Sequence, residues 1–249
     1  MKRIIKSGVK KLVSLIFHSF GYKGYLGGVF LNEDSPEDML LVDRNVWSPF
    51  YQGNERVDLY YEGLKRAEVE WSDNLHKQCR FYSLQQMVEM AVKKGGDFVE
   101  CGCWKGHSTF IISKILAKNE FNGKFHVFDS FEGGLSEKTV EDKNERFELS
   151  DRQLKIENAV FKSTEDEVYR SISGFDFPRL YKGWIPTRFH EVEDRKFSFL
   201  HVDVDLYQPT LASLNFFYSR LLSGGIVVVD DYGLTQFAGC KKAVDEFLS

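Results

Sequence analysis

Four aspartates at the ends of two apolar runs are the residues of this chain whose types and spacing point most directly to chemistry. Phe197-Ser-Phe-Leu-His-Val-Asp-Val-Asp205 carries Asp203 and Asp205, and Ile226-Val-Val-Val-Asp-Asp231 ends in Asp230 and Asp231. Positions i and i+2 of a strand share a face, so Asp203 and Asp205 are neighbours. If the two runs are adjacent strands, four carboxylates converge, and like charges that close raise one another's pKa. A hard divalent cation relieves the repulsion: an oxygen-rich set suits Mg²⁺, or Mn²⁺ at a similar site. The other reading is a solvated acidic patch, which the apolar character of both runs disfavours.

A second group lies upstream. Glu100-Cys-Gly-Cys-Trp-Lys-Gly106 sets two glycines around a strand-to-helix turn. Gly102 lets a ligand approach the backbone, and Gly106 permits close entry into the helix. A side chain at Gly102 is expected to fill the ligand's space while sparing the fold. The spacing lacks the third glycine of the dinucleotide fingerprint, which weakens a nicotinamide reading, and it matches the first motif of S-adenosylmethionine-dependent methyltransferases. Asp129 ends the run Lys124-Phe-His-Val-Phe-Asp129, where a carboxylate can accept both hydroxyls of an adenosine ribose. His107, His126 and His201 are assigned no role, since strand histidines are more often satisfied core residues than ligands. The Glu141 to Arg146 run reads as a solvated loop, or as part of a lid.

These residues need elements to hold them. Ser83 with Gln86 forms a capping box, and Leu84, Met87, Val88 and Ala91 make one helical face stopped by Gly95-Gly96. Five short strands are predicted: Asp97 to Gly102, Lys124 to Asp129, Leu180 to Ile185, Phe197 to Asp205 and Ile226 to Asp230. Helices follow the first strand, follow Pro209 up to Gly224-Gly225, and span Lys241 to Leu248. Alternating strands and helices predict an α/β fold, a mostly parallel, doubly wound Rossmann-like sheet. Ligands bind outside the carboxyl ends of such strands, where the glycine turn, Asp129 and the four aspartates fall.

The chain has 249 residues, 33 basic and 37 acidic, with a net charge of −4, so bulk attraction for phosphate backbones is absent and nucleic acid is not an expected partner. Cys79, Cys101, Cys103 and Cys240 form no CxxC pair, which fits reduced thiols in a cytoplasmic protein. No apolar run reaches the ~18 residues of a membrane span. Lys2, Arg3, Lys6, Lys10 and Lys11 interleave with Ile5, Val9, Leu12, Ile16 and Phe20 as a basic amphipathic helix, which either docks at the inner face of a membrane or packs on the body. Residues 1–80 read as this helix plus an aromatic, irregular cap, and residues 81–249 as the main domain. Homo-oligomerisation is left open.

The stretches FVECGCWKGHST, HVFDSFEG, YKGWIPT, LHVDVDLYQPT, GGIVVVDDYG and GCKKAVDEF together resemble the macrocin O-methyltransferase (TylF-like) family over about Arg80 to Leu248. The resemblance implies a metal-dependent enzyme that moves the methyl of S-adenosylmethionine onto a sugar hydroxyl of a small-molecule or glycan acceptor. It implies Asp203, Asp230 and Asp231 as metal ligands and Asp205 as general base, with Glu100, Gly102, Gly106, Ser108, Asp129 and Ser130 holding the cofactor. That fold normally adds further strands after the fifth, so a C-terminally truncated chain is expected. Two other readings are a D-x-D metal-dependent nucleotide-sugar glycosyltransferase, which leaves Glu100-x-Gly102 and Asp129 unexplained, and a non-catalytic S-adenosylmethionine-binding module.

Overall fold

The computed structural model describes residues 55–69, 75–143 and 159–249. The basic stripe of residues 2–20 and most of the cap lie outside the described residues. The chain divides into two compact units, Met1–Asp58 and Leu59–Ser249, and the elements below belong to the second from Leu59 on.

In chain order these are α1 (Glu55–Arg66), α2 (Leu75–Ala91), β1 (Asp97–Cys101), α3 (His107–Lys118), β2 (Phe125–Asp129), α4 (Glu165–Ser171), β3 (Pro178–Lys182), β4 (Phe197–Val202), α5 (Tyr207–Tyr218), β5 (Leu221–Val229) and α6 (Ala238–Leu248). The strands form one wholly parallel sheet in the order β3-β2-β1-β4-β5. The predicted α/β Rossmann-like fold is therefore the observed one. Every residue of β1 and β4 is buried, which is why both read as near-continuous apolar runs. Phe128, Phe189, Phe197 and Phe217 meet in the core, three pairs edge to face and Phe128 with Phe217 tilted, with ring centroids 4.7 to 5.9 Å apart. Such rings supply area burial plus pairing geometry, which anchors the strands that carry the site.

Three local readings change. The helix expected to begin at Ser83 runs unbroken from Leu75, and Ser83 and Gln86 are exposed on its outer side while Leu84 and Val88 are buried. Propensity for a cap lost to the apolar face, which continues through it. The glycine pair Gly224-Gly225 lies inside β5 and does not precede it: pairing jumps from Phe197 with Leu221 to Phe199 with Ile226, and Gly224 takes φ +76. Finally, Asp142, expected in a solvated run, is buried: its Oδ1 accepts the Tyr207 amide at 2.7 Å and its Oδ2 the Thr139 amide at 2.8 Å. An anionic acceptor at the start of α5 satisfies an amide the helix cannot.

Candidate active site

Strand ends bring the predicted residues together at one sheet edge. The Asp203 amide donates to the Cys101 carbonyl at 2.8 Å, the Asp230 amide to the Val202 carbonyl at 2.9 Å, and the Gly102 amide to the Phe128 carbonyl at 2.8 Å. Each turn is thus a continuation of the ladder. Beyond Asp203 the backbone bends sharply, with Asp205 in the left-handed region at φ +61 and its amide donating to Asp231 Oδ2 at 3.0 Å. Asp205 and Asp231 are buried. Burial, then the neighbouring aspartates, pushes the Asp205 and Asp230 carboxyls well above the usual range, and Asp231 up to about 7.

Two groups that the sequence reading left out complete this cluster. Arg80, from α2, reaches Asp230 Oδ2 with Nη1 at 2.5 Å, its guanidinium lying over the Phe81 ring. His201, from β4, presents Nδ1 to Glu100 Oε1 at 2.9 Å, and Thr109 donates to Glu100 Oε2 at 2.6 Å. Burial lowers the His201 pKa, but the Glu100 bond and the surrounding aspartates outweigh it and hold the ring at about 9. Among the described residues, ligand atoms of His201, Asp203 and Asp230 converge to within 4.8 Å of one another. No sequence signal set His201 apart from His126, which is spent on Asp97 and Tyr181 in the core.

Two cavities open here. One, of about 80 Å³, is walled by Gly102, Trp104, Asp129, Ser130, Trp184, Ile185, Asp203 and Asp205 among others. The other, of about 460 Å³, is walled by Tyr60, Phe81, Ser108, Phe161, Phe237, Asp203, Asp205 and Asp231 among others. Gly102, Asp203 and Asp205 stand on both.

Several predicted contacts are placed differently. Glu100 is wholly buried and lines neither cavity; both its oxygens are taken by Thr109 and His201, so it supports the site from beneath. Gly106 also stands off the cavity walls: a Cβ there would meet Ser171 Oγ at 2.4 Å, so its role is the close packing of α4 on the turn. Gly102, although it stands on both cavities, is also tightly packed: a Cβ there would strike the Asp203 carbonyl oxygen at 1.9 Å. The glycine is demanded by the neighbouring turn as well as by any ligand. Asp129 lines the smaller cavity, yet its Oδ2 already accepts the Cys103 and Trp104 amides at 2.9 and 3.0 Å and its Oδ1 the Phe131 amide at 3.2 Å. A ribose would share that carboxylate with the turn. All four cysteines are free thiols, and burial pushes Cys101, Cys103 and Cys240 up, away from reactivity.

A parallel sheet ordered 3-2-1-4-5, with acids past β2, β4 and β5 and a glycine turn past β1, is the Rossmann-like methyltransferase class. Residues 65–249 match the family described as macrocin-O-methyltransferase (TylF), and the chain belongs to that family of O-methyltransferases. It is 29% identical over 206 residues to demethyldecarbamoylnovobiocin O-methyltransferase of Streptomyces niveus, covering 78% of this chain and 76% of that one. It is 27% identical over 239 residues to a tetracenomycin-C rhamnosyl 4'-O-methyltransferase of Streptomyces olivaceus, covering 87% of each. Among solved structures the O-methyltransferase NovP superposes with a TM-score of 0.55 at 28% identity, over 75% of this chain and 78% of that one. The calicheamicin methyltransferase CalS11 shares the fold, with a TM-score of 0.52 at 16% identity over 78% and 84%. Family membership sets aside the glycosyltransferase and non-catalytic readings. No helix among the described residues is long and apolar enough to cross a membrane.

The raised carboxyls make a first prediction. Asp231 is held near pKa 7, above its unfolded value, so in the absence of a cation its contribution to stability is lost as pH rises from about 4 through 7. Asp231→Asn keeps an acceptor for the Asp205 amide without the charge. In a chelator, thermal unfolding is expected to show the variant more stable than the parent at pH 8 and indistinguishable from it at pH 4; equal midpoints at pH 8 would remove the claim of charge strain.

Proposed function

We propose that this enzyme transfers the methyl group of S-adenosylmethionine to a hydroxyl of a sugar carried by a small molecule or glycan, with a divalent cation, Mg²⁺ or Mn²⁺, at the aspartate cluster. One observation carries the reading: the turn bearing Asp203 and Asp205 forms a wall common to two cavities, so a donor in one and an acceptor in the other would meet at these carboxylates. The smaller cavity offers Asp129 and Ser130 to the donor's ribose, and at about 80 Å³ it takes that part of the donor only. Ser108 faces the larger one, beside aromatic walls suited to the acceptor.

The residues fit a cation on their own chemistry. Buried aspartates with raised pKa values are held with Arg80 as their paired base, and Asp203, Asp230 and Asp231 would hold a divalent ion. Such an ion supplies positive charge that favours loss of a hydroxyl proton. Asp205 stands on both cavity walls, and burial with the neighbouring aspartates raises its pKa, which strengthens its carboxylate as a base for that proton. The sulfonium donor already carries a good leaving group, so the rest of the task is alignment of oxygen, methyl and sulfur. Residues 1–80 are the proposed source of acceptor choice.

Thermal shift with S-adenosylhomocysteine, with and without Mg²⁺ or Mn²⁺, tests the donor. At 100 times Kd a native-state ligand adds about 2.7 kcal/mol, roughly 5–10 °C here. Labelled methyl transfer to a panel of glycosides, run beside UDP-glucose hydrolysis, then tests the reaction. No shift with S-adenosylhomocysteine would sink the proposal.

A further inference from the structure

Asp142 lines neither cavity, yet it ties together two pieces of chain that wall the smaller one. The loop after β2 supplies Ser130, Gly134, Leu135 and Ser136 to that wall, and the turn after β4 supplies Asp203 and Asp205. Asp142 is 9% exposed, and both its oxygens are in use. Oδ2 accepts the Thr139 amide at 2.8 Å and the Thr139 hydroxyl at 3.0 Å, which closes the end of the loop as a single helical turn, Val140–Asp142. Oδ1 accepts the Tyr207 amide at 2.7 Å, 65 positions along the chain. Tyr207 opens α5 two residues after Asp205, and Leu206 before it makes no side-chain cap. A helix leaves its first amides unpaired, so Asp142 supplies from a distant loop the acceptor that Leu206 cannot. The helix α6 is shaped to admit it: a Cβ on Gly239 would sit 1.9 Å from Asp142 Oδ1, and Lys242 Nζ donates to the Glu141 carbonyl at 2.6 Å.

We propose that Asp142 is a positioning residue for methyl transfer: one buried carboxylate fixes the loop after β2 and the Asp205 turn relative to each other, so that the ribose wall and the base keep one register. This rests on the reading of those two walls as the donor and proton-accepting sides of the site. Each piece of chain takes one carboxylate oxygen. Asp142→Asn is the informative substitution, because a carboxamide is close to isosteric but has a single accepting oxygen beside an NH₂ that only donates. Either the Tyr207 amide or the Thr139 amide then loses its acceptor. No group on a cavity wall is altered. A displacement of about 1 Å in a reacting group costs about 10²-fold in rate, so loss of either tie reaches turnover.

Labelled methyl transfer to the glycoside that the parent methylates fastest is expected to show kcat lowered about 10–100-fold in Asp142→Asn, with the acceptor KM changed by less than about threefold. Amide hydrogen exchange should quicken at Tyr207 or Thr139 and stay unchanged in β1 and β4. Gly239→Ala, which crowds the same carboxylate from α6, should reproduce the kinetic loss, and the double variant should lose no more than the worse single. Should Asp142→Asn fail to fold, the unaltered protein decides: neither Tyr207 nor Thr139 stands on a cavity wall, and saturating S-adenosylhomocysteine is expected to slow exchange at both amides by the same factor. Slowing at one of them alone, or at neither, overturns the assignment. A folded Asp142→Asn variant with the parent's kcat overturns it as well and leaves the functional reading standing. A parent that does not bind S-adenosylhomocysteine overturns both.

Discussion

Asp205→Asn is expected to lower methyl transfer by roughly 10²–10⁴-fold while leaving affinity for S-adenosylhomocysteine and for Mn²⁺ unchanged. The substitution is close to isosteric, and asparagine tolerates the left-handed conformation that Asp205 adopts at φ +61. Its backbone amide can still donate to Asp231 Oδ2, so the turn should persist. What disappears is the capacity to take a proton, and added Mn²⁺ cannot restore that. Turnover and metal affinity measured on Asp203→Asn, Asp205→Asn and Asp230→Asn separate the roles: the first and third should weaken the metal. If Asp205→Asn loses the metal as they do, Asp205 is a ligand and the base lies elsewhere.

Gly102→Val is expected to damage the fold and not only the ligand site. Its Cβ would sit 1.9 Å from the Asp203 carbonyl oxygen and 3.0 Å from Val204 Cγ1, against backbone that cannot swing aside. The position also requires φ +82, where a β-branched residue is strained. Overpacking and strain each cost about 1–3 kcal/mol, so a loss of about 2–6 kcal/mol follows, a large part of a marginal stability. The expected readout is a thermal midpoint lowered by about 10 °C with no ligand present. An unchanged midpoint together with lost S-adenosylhomocysteine binding would return Gly102 to a purely ligand-facing role.

Sequence alone determined the architecture because its signals are local. Short apolar runs buried on both faces, each ending in an acid or a glycine and followed by a helical repeat, leave few alternatives to a parallel sheet with its chemistry at the carboxyl edge. The acids therefore fell where they were expected: the register that pairs Val202 with Val229 sets Asp203 beside Asp230. Helix boundaries were less legible. Ser83 and Gln86 have the types of a capping box, and only burial of the face around them shows that the helix runs through.

What only the tertiary structure decided is where each polar group spends its hydrogen bonds. Glu100 has the spacing of a cofactor contact, but its partners, Thr109 on α3 and His201 on β4, come from other elements, and they turn it into a buried support. Arg80 carries no motif; its place against Asp230 depends on how α2 crosses the sheet edge. His201 looks like any strand histidine until its Nδ1 is found against Glu100 and its Nε2 buried without a hydrogen-bond partner. Type and spacing along a chain fix which face a residue shares with its near neighbours. Which distant group meets it there is set by packing, and it is that meeting that decides whether a carboxylate binds a ligand, holds a histidine or takes a proton.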